Sequence, residues 1–139
     1  FVLPCFANAT NFTNFVYQVS MTMNSNGQGG IIFCANKSQK QYYLFTIDTN
    51  GNYTLELYTG GKYALLAQGT NTAILSGVGT PNTLTVLVDK GVLTLFVNAS
   101  YVGGANNTTL SSGQIGVAVI NRDLPTSADF SNVEVWNVA

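Results

Sequence analysis

The sequence predicts an all-β protein built as a two-sheet antiparallel sandwich. Short runs alternate apolar and polar residues with a period of two, which places one face of a strand in a core and the other in solvent. Turn signals separate these runs at short, even spacing, and no stretch carries the apolar stripe of an amphipathic helix. Roughly ten short strands joined by hairpin turns are typical of a sandwich or a barrel. The length of 139 residues indicates one domain, residues 1–139.

The alternation of apolar and polar residues is clearest in Phe15–Met23. It returns in Tyr43–Ile47, Tyr53–Leu57 and Leu84–Val88, and the chain closes with the same pattern in Val133–Val138. Each run predicts a strand with one buried face.

Two tight turns set the predicted register. The Asp48–Asn52 turn needs Gly51 at a position with positive φ, which glycine adopts without strain. The Asp89–Val92 turn is its counterpart later in the chain, and the polar stretch Gly103–Ser112 is predicted as a loop. The predicted cross-strand pairs are Ile47 with Tyr53, Phe45 with Leu55, Tyr43 with Leu57, Val88 with Leu93, Val86 with Leu95 and Leu84 with Val97.

Charge is scarce in this chain and its composition excludes several functions. Only 8% of the residues are charged, the net charge is −1 and no histidine is present, whereas soluble domains carry about 25% charged residues. A nucleic-acid binder needs a basic patch, so nucleic acid is not a predicted partner. The absence of histidine excludes His-dependent triads and most zinc sites. No apolar run approaches the ~18 residues of a membrane span.

The six acidic residues show no catalytic spacing, so we predict no enzyme, no catalytic site and no cofactor. Glycoside hydrolysis needs two carboxylates a few ångströms apart across a cleft. Asp48 and Asp89 occupy turns, where Asp serves the backbone. Glu56 and Glu134 alternate with apolar neighbours and therefore point outward. No metal site is predicted, although Asn121–Asp123 and Asp129 could contribute oxygen ligands to a calcium ion.

Cysteines and sequons bear on the compartment. Cys5 and Cys34 permit one intrachain disulfide, and two buried free thiols are the alternative. Seven Asn residues begin an N-x-[S/T] sequon, and together with the low charge they favour a secreted or cell-surface, extracellular glycoprotein. These glycosylation candidates are Asn8, Asn11, Asn36, Asn52, Asn98, Asn106 and Asn107.

The order of several phrases goes beyond a generic β pattern. They include NFVYQVSMT at 14–22, GGIIFCAN at 29–36, YYLFTI at 42–47 and DFSNVEVW at 129–136. This order resembles the concanavalin A-like, laminin-G-like jelly-roll domains, and is similar to those of secreted or surface proteins of Ktedonobacteria-type bacteria. The resemblance covers nearly the whole chain and implies a jelly roll. It implies no particular ligand, because this superfamily includes lectins, hydrolases, sensor ectodomains and structural modules.

The chain departs from these relatives at two places. Relatives usually carry Arg at the position of Cys34, and they begin with a further segment that supplies a strand and often a cysteine partner for Cys5. The resemblance therefore implies that Cys34 has become the new partner of Cys5, or that Cys5 has no partner. It also leaves open a sandwich that lacks an N-terminal strand.

Four tyrosines fall out of phase with the strands or next to loops. Most aromatic residues, which make up 12% of the chain, alternate into the predicted core. Tyr42, Tyr58, Tyr63 and Tyr101 could instead form a flat platform on which sugar rings stack. The competing interpretation is that they anchor a protein–protein contact.

Two functions fit this sequence. The first prediction is a self-assembling structural subunit of an extracellular filament or matrix, because sheets with so few charges lack the lysines that keep strand edges apart. The apolar start Phe1, Val2 and Leu3 is then a candidate segment for strand donation to another copy. The alternative is a carbohydrate-binding, lectin-like module or sensor ectodomain. Exposed aromatic residues on a concave sheet face would favour glycan binding, and exposed aromatic residues at edges or poles, where another copy sits, would favour assembly.

Overall fold

The computed structural model describes the backbone of residues 2–6, and residues 13–121 and 125–138 with their side chains. These residues form strands and no helix, so none of them belongs to a helix that could cross a membrane. The predicted all-β class is confirmed. The strands β1 to β11 are, in chain order, Val2–Phe6, Phe15–Met23, Gln28–Asn36, Gln41–Asp48, Asn52–Thr59, Lys62–Thr70, Pro81–Asp89, Val92–Val97, Ser100–Asn106, Gln114–Ile120 and Ala128–Asn137.

The strands form the predicted two-sheet jelly-roll sandwich. The six-stranded sheet has the order β1-β10-β3-β4-β5-β6, and the five-stranded sheet has the order β11-β2-β7-β8-β9. Every neighbouring pair is antiparallel. Strands β6 and β9 are therefore edge strands of the two sheets, as are β1 and β11.

The core lies between the two sheets and is rich in aromatic rings. Phe15 of β2 meets Phe33 of β3 edge-to-face at 6.5 Å, and Phe33 lies 5.3 Å from the ring of Tyr43. The Tyr17 hydroxyl donates a buried hydrogen bond of 2.8 Å to the carbonyl of Gly116. Because Tyr17 belongs to β2 and Gly116 to β10, this bond connects the two sheets directly.

The register of the predicted hairpins is confirmed. Ile47 lies opposite Tyr53 and Val88 opposite Leu93, and the other four predicted pairs follow in step. Gly51 has the required positive φ of 87°. The prediction of a loop at Gly103–Ser112 is wrong in its first part, because β9 continues to Asn106 and pairs with β8.

Strand β6 has no counterpart in the sequence prediction, because its Ala64–Ala67 stretch does not alternate. Gly60 and Gly61 both have positive φ, at 57° and 92°, the conformation of a two-residue hairpin turn. A β-bulge then follows, since Leu55 pairs with Ala67 but Glu56 pairs with Leu65. The extra residue lets Leu66 and Ala67 both pack against the core while Leu65 is exposed.

Strand β3 contains a second bulge, which turns two consecutive side chains toward the core. Between Phe33 and Asn36, β3 advances by one residue more than β4. Cys34 occupies this bulge with a positive φ of 51° and is fully buried. Phe33 and Cys34 thus both face the core, and Ala35 faces the opposite side of the sheet.

Cys34 is a free thiol, so the predicted bridge to Cys5 is absent from the structure. The sheet order explains its absence. Cys5 pairs with Val117 of β10, and β10 separates β1 from β3, which places their backbones about 9–10 Å apart at ordinary strand spacing. A disulfide needs Cα atoms about 4.4–6.8 Å apart.

The segment predicted to dock on another copy is paired within this chain. Val2 lies opposite Ile120 and Leu3 opposite Val119, as part of β1; Phe1 lies outside the described residues. Donation of this strand to a neighbour would first break its own pairing with β10. The strand-donation hypothesis is therefore not supported at this segment.

We expect Tyr17→Phe to lower the free energy of unfolding by about 1–3 kcal/mol, because the buried Gly116 carbonyl loses its side-chain donor. Urea unfolding followed by tryptophan fluorescence measures the loss. Tyr101→Phe is the matched control, since Tyr101 is 63% exposed. Equal stability of the two variants would show that the inter-sheet bond contributes nothing.

We expect Cys34 to be unreactive in the folded protein. Burial raises the pKa of its thiol to about 12, and the thiolate is the reactive form. In a Cys5→Ser variant, Ellman's reagent should therefore detect no thiol until denaturant is added, and then one per chain. The unmodified chain, denatured without reductant, should show two thiols; finding none would restore the disulfide.

Candidate functional site

Three of the four singled-out tyrosines lie side by side on the outer face of the six-stranded sheet, the face turned away from the core. Tyr42 of β4 lies opposite Tyr58 of β5, which lies opposite Tyr63 of β6. We call these three residues the tyrosine row. They occupy the outer face because their strand neighbours Tyr43 and Leu57 face the core and successive side chains alternate.

The rings of the tyrosine row stack on one another. The centroid of Tyr58 lies 4.9 Å from that of Tyr42 and 4.6 Å from that of Tyr63, with interplanar angles of 34° and 40°. At such short distances ring faces turn toward each other, so the predicted flat platform is not formed. The ring face of Tyr63 that is turned away from Tyr58 remains, and Tyr63 is 44% exposed whereas Tyr42 is 7% exposed.

A hydrogen bond joins Tyr42 and Tyr63, the two outer members of the tyrosine row. The hydroxyls of Tyr42 and Tyr63 lie 2.9 Å apart. Burial raises the pKa of Tyr42 strongly, and its bond to Tyr63 raises that pKa further. Burial also raises the pKa of Tyr63. Both phenols are therefore protonated at neutral pH and present neutral hydroxyls.

Next to the tyrosine row lies a row with a carboxylate between two leucines. Leu44, Glu56 and Leu65 face one another across β4, β5 and β6. Burial is the main cause of the raised pKa of Tyr42 and of Tyr63, and the charge of Glu56 contributes to both. Leu65 is 53% exposed.

The following row consists of hydroxyl and amide groups. Thr46, Thr54 and Gln68 share one level of β4, β5 and β6, and the hydroxyls of Thr46 and Thr54 lie 2.6 Å apart. Gln28 donates its amide to Thr46 at 2.9 Å. Thr46 is fully buried, Thr54 is half-buried and Gln68 is exposed, so this network becomes more accessible toward β6.

Polar groups continue to the end of the outer face. The Thr70 hydroxyl donates to Asn52 at 2.6 Å, and the Asn52 amide donates to Asp48 at 3.0 Å. A cavity of about 370 Å³ adjoins this end and is lined by Asn26, Gly27, Gln28, Asp48, Thr49 and Asn50. Its volume lies within the range of about 300–1,000 Å³ usual for small-ligand clefts.

Buried apolar side chains occupy the rest of the outer face. A second hydrophobic cluster covers β10, β3 and β4, and each of its members is at most 7% exposed. The accessible part of the outer face is therefore a strip along β5 and β6, which we call the β5–β6 strip: Thr54, Glu56, Tyr58, Tyr63, Leu65 and Gln68. The members of the apolar cluster are Ile32, Ala35, Tyr42, Leu44, Ala118 and Ile120.

Tyr101 lies elsewhere. It belongs to β9 of the five-stranded sheet, is 63% exposed and meets Phe96 edge-to-face at 6.3 Å. The structure thus brings Tyr42, Tyr58 and Tyr63 together but separates Tyr101 from them.

Asp48 and Glu56, the two described carboxylates on the outer face of the six-stranded sheet, are too far apart to form a hydrolytic pair. Asp48 and Glu56 share the outer face, but Asp48 lies four residues along β4 from Leu44, the partner of Glu56. At about 3.3 Å per residue this is about 13 Å, beyond the about 5–9.5 Å between the two carboxyls of a glycosidase. Asp129 and Glu134 lie on β11 of the other sheet, and Asp123 lies outside the described residues. Within the described ranges, no three His, Cys, Asp or Glu residues gather to hold a metal.

Comparisons with known proteins show the fold. No family model and no curated protein matches the sequence. Carbohydrate-binding module CBM66 of Bacillus subtilis superposes with a TM-score of 0.81 at 20% identity, over 91% of this chain and 77% of the other. A tetrameric galectin of the sponge Cinachyrella gives 0.70 at 10% identity, over 97% and 99%. A Parabacteroides distasonis protein with the provisional name of a glycosyl hydrolase gives 0.69 at 9% identity, over 99% and 87%.

The polar members of the β5–β6 strip were missed by sequence reasoning. Glu56 was predicted to point outward, as it does, but nothing linked it to Tyr63 because β6 was not predicted. The available signal was the pair of threonines at 46 and 54, which the predicted Asp48–Asn52 hairpin already placed opposite each other. Cross-strand hydroxyl pairs of this kind commonly stabilise one face of a sheet.

We expect stability to fall as the pH rises above the ordinary tyrosine pKa of about 10, because Tyr42 and Tyr63 stay protonated in the folded state and ionise in the unfolded chain. The unfolded state then binds fewer protons, so the free energy of unfolding decreases with pH. Tyr42→Phe removes one such group and should make the decrease shallower. Urea unfolding of both proteins from pH 8 to pH 11 measures the slopes; identical slopes would contradict the raised pKa of Tyr42.

Proposed function

We propose that this protein is a non-catalytic, extracellular carbohydrate-binding module whose binding surface is the β5–β6 strip. The observation that carries the proposal is the combination, on one accessible surface, of an exposed tyrosine ring, a carboxylate and hydroxyl and amide groups. Aromatic rings that stack on sugar rings, with polar groups placed beside them, are what a glycan site requires.

Each member of the β5–β6 strip has a distinct role in this proposal. The outer ring face of Tyr63 stacks on a pyranose or furanose ring at the sheet edge. The Glu56 carboxylate hydrogen-bonds sugar hydroxyls in the row next to that ring, and the Thr54 hydroxyl and the Gln68 amide, which share one level, lie one row further along the strip. In the described part of the chain no Lys or Arg occupies these rows, so the preferred ligand is a neutral glycan.

Two further facts support this proposal. Solved structures with the same fold include a protein named as a carbohydrate-binding module and a galectin. The three clustered tyrosines share one face of a sheet, and Tyr63, the exposed one, offers a ring face on which a sugar can stack. For these reasons we propose glycan binding first, although the sequence alone favoured the filament hypothesis.

Self-association is the second candidate function, and one observation favours it. Val92 on β8 and Tyr101 on the edge strand β9 are 47% and 63% exposed. Light scattering during size-exclusion chromatography tests this candidate. A monomer at all concentrations up to the solubility limit would exclude a filament subunit.

We expect Tyr63→Ala to weaken binding to a neutral oligosaccharide about ten-fold, a loss of about 1.4 kcal/mol in binding free energy. A glycan array first identifies the ligand, and isothermal titration then measures both proteins. Gln68→Ala should also weaken binding to this oligosaccharide. Tyr101→Ala is the matched control, because it removes an exposed tyrosine from the other sheet. Equal losses for Tyr63→Ala and Tyr101→Ala, or a silent array, would contradict the proposed surface.

A further inference from the structure

The five sequons within the described residues differ in what their Asn side chains do. A glycan is attached through Nδ2 of Asn and needs open space around that atom. Attachment replaces one of the two Nδ2 hydrogens, so an Asn whose amide is held in place by the fold loses a donor and would have to give up that position. The hydrogen bonds of each sequon therefore separate positions that can carry a glycan from positions that cannot.

The side-chain amides of Asn98 and Asn52 are each hydrogen-bonded at both the nitrogen and the oxygen. The Asn98 amide nitrogen donates to the Ala73 carbonyl at 2.9 Å and to Asn82 Oδ1 at 2.8 Å, while its oxygen accepts from the Thr83 backbone at 2.9 Å. Asn52 donates through Nδ2 to Asp48 and accepts from Thr70. Exposure alone would mislead at Asn98, because the residue is exposed although its amide is bound.

Asn107 is directed at the core. Its Oδ1 accepts a 2.6 Å hydrogen bond from the hydroxyl of the buried Tyr43 and one of 3.1 Å from the Thr109 backbone. The Tyr43 hydroxyl in turn accepts from the Leu110 backbone at 3.2 Å. A glycan on Asn107 would pull this side chain outward and release residues 107–110 from the core.

Asn36 and Asn106 are exposed, and no described residue holds the nitrogen of either side-chain amide. Asn36 is exposed at the β3–β4 turn, where Oδ1 accepts from the hydroxyl of its own sequon residue Ser38 at 2.8 Å and from the Gln39 backbone at 3.2 Å. Because Oδ1 of Asn36 points toward the β3–β4 turn, Nδ2 of the same amide points away from the turn. Asn106 is the exposed last residue of β9, and no residue of the described ranges hydrogen-bonds to its side chain.

We propose that Asn36 and Asn106 are N-glycosylation sites, and that Asn52, Asn98 and Asn107 carry no glycan. The donor is an oligosaccharide on a polyprenyl diphosphate. A bond forms between Asn Nδ2 and the anomeric carbon of the first sugar, while the bond from that carbon to the diphosphate oxygen breaks. The polyprenyl diphosphate leaves, and the amide nitrogen gives up one proton to the transferring enzyme's base.

Both sites lie at the same end of the sandwich. Asn107, the neighbour of Asn106, is bonded to Tyr43, which pairs with Phe33 three residues before Asn36. Two glycans there would cover one pole of the molecule. This inference is independent of the proposed glycan binding, since it concerns sugars attached to the chain rather than bound by it.

The test is site-resolved mass spectrometry of the full chain secreted from an insect cell line. Asn8 and Asn11, which lie outside the described residues, are replaced in the variant Asn8→Gln/Asn11→Gln. Release of glycans by peptide N-glycosidase in ¹⁸O water should mark Asn36 and Asn106 and no other sequon. Asn36→Gln and Asn106→Gln should each remove one glycan from the intact mass.

Asn98→Gln is the matched control for this experiment. It should leave the glycan pattern unchanged and lower the urea midpoint, because its amide holds the loop before β7 and not a sugar. A glycan found at Asn52, Asn98 or Asn107 of the folded protein would overturn the proposal. So would an unmodified Asn36 or an unmodified Asn106.

Discussion

The register of strands β4, β5 and β6 is the constraint on which both the core and the candidate site depend. Because side chains alternate with a period of two, a slip of one residue would move every core side chain of a strand to the outer face. Glycine turns fix this register: Gly51 turns β4 into β5, and Gly60 with Gly61 turn β5 into β6. The same register that buries Phe45 and Leu55 therefore aligns the tyrosine row on the other side.

Much of this framework could be predicted from the sequence, because it rests on local signals. Alternation and turn chemistry act over a few residues, and they were sufficient for the sandwich, for six cross-strand pairs and for the positive φ of Gly51. Three of the four tyrosines singled out for being out of phase do share a surface. The pairing of Tyr42 with Tyr58 follows from the predicted Asp48–Asn52 hairpin extended by one residue on each strand.

The remaining features depend on irregularities that local patterns do not reveal. A bulge adds one residue to a strand and changes the face that every later residue occupies. In β3 the bulge at Cys34 buries consecutive residues, and in β6 the bulge at Leu66 conceals the strand from an alternation test. The disulfide between Cys5 and Cys34 is absent for a related reason. Strand β10 lies between β1 and β3, and no short stretch of sequence predicts the order of strands in a sheet.

The scarcity of charge allows polar side chains to be buried on the outer face of the six-stranded sheet. Burying a charged group costs several kcal/mol unless it is paired, whereas neutral hydroxyls and amides satisfy one another in place, as Gln28, Thr46 and Thr54 do. Among the described buried side chains, every nitrogen and oxygen has a hydrogen-bond partner. A surface of this kind can exchange water for the hydroxyls of a sugar without stripping the hydration shell from a row of charges. The same neutrality would tolerate a second copy of the chain. On the β5–β6 strip it is combined with the exposed ring of Tyr63 and the carboxylate of Glu56, a combination that suits a small polar ligand.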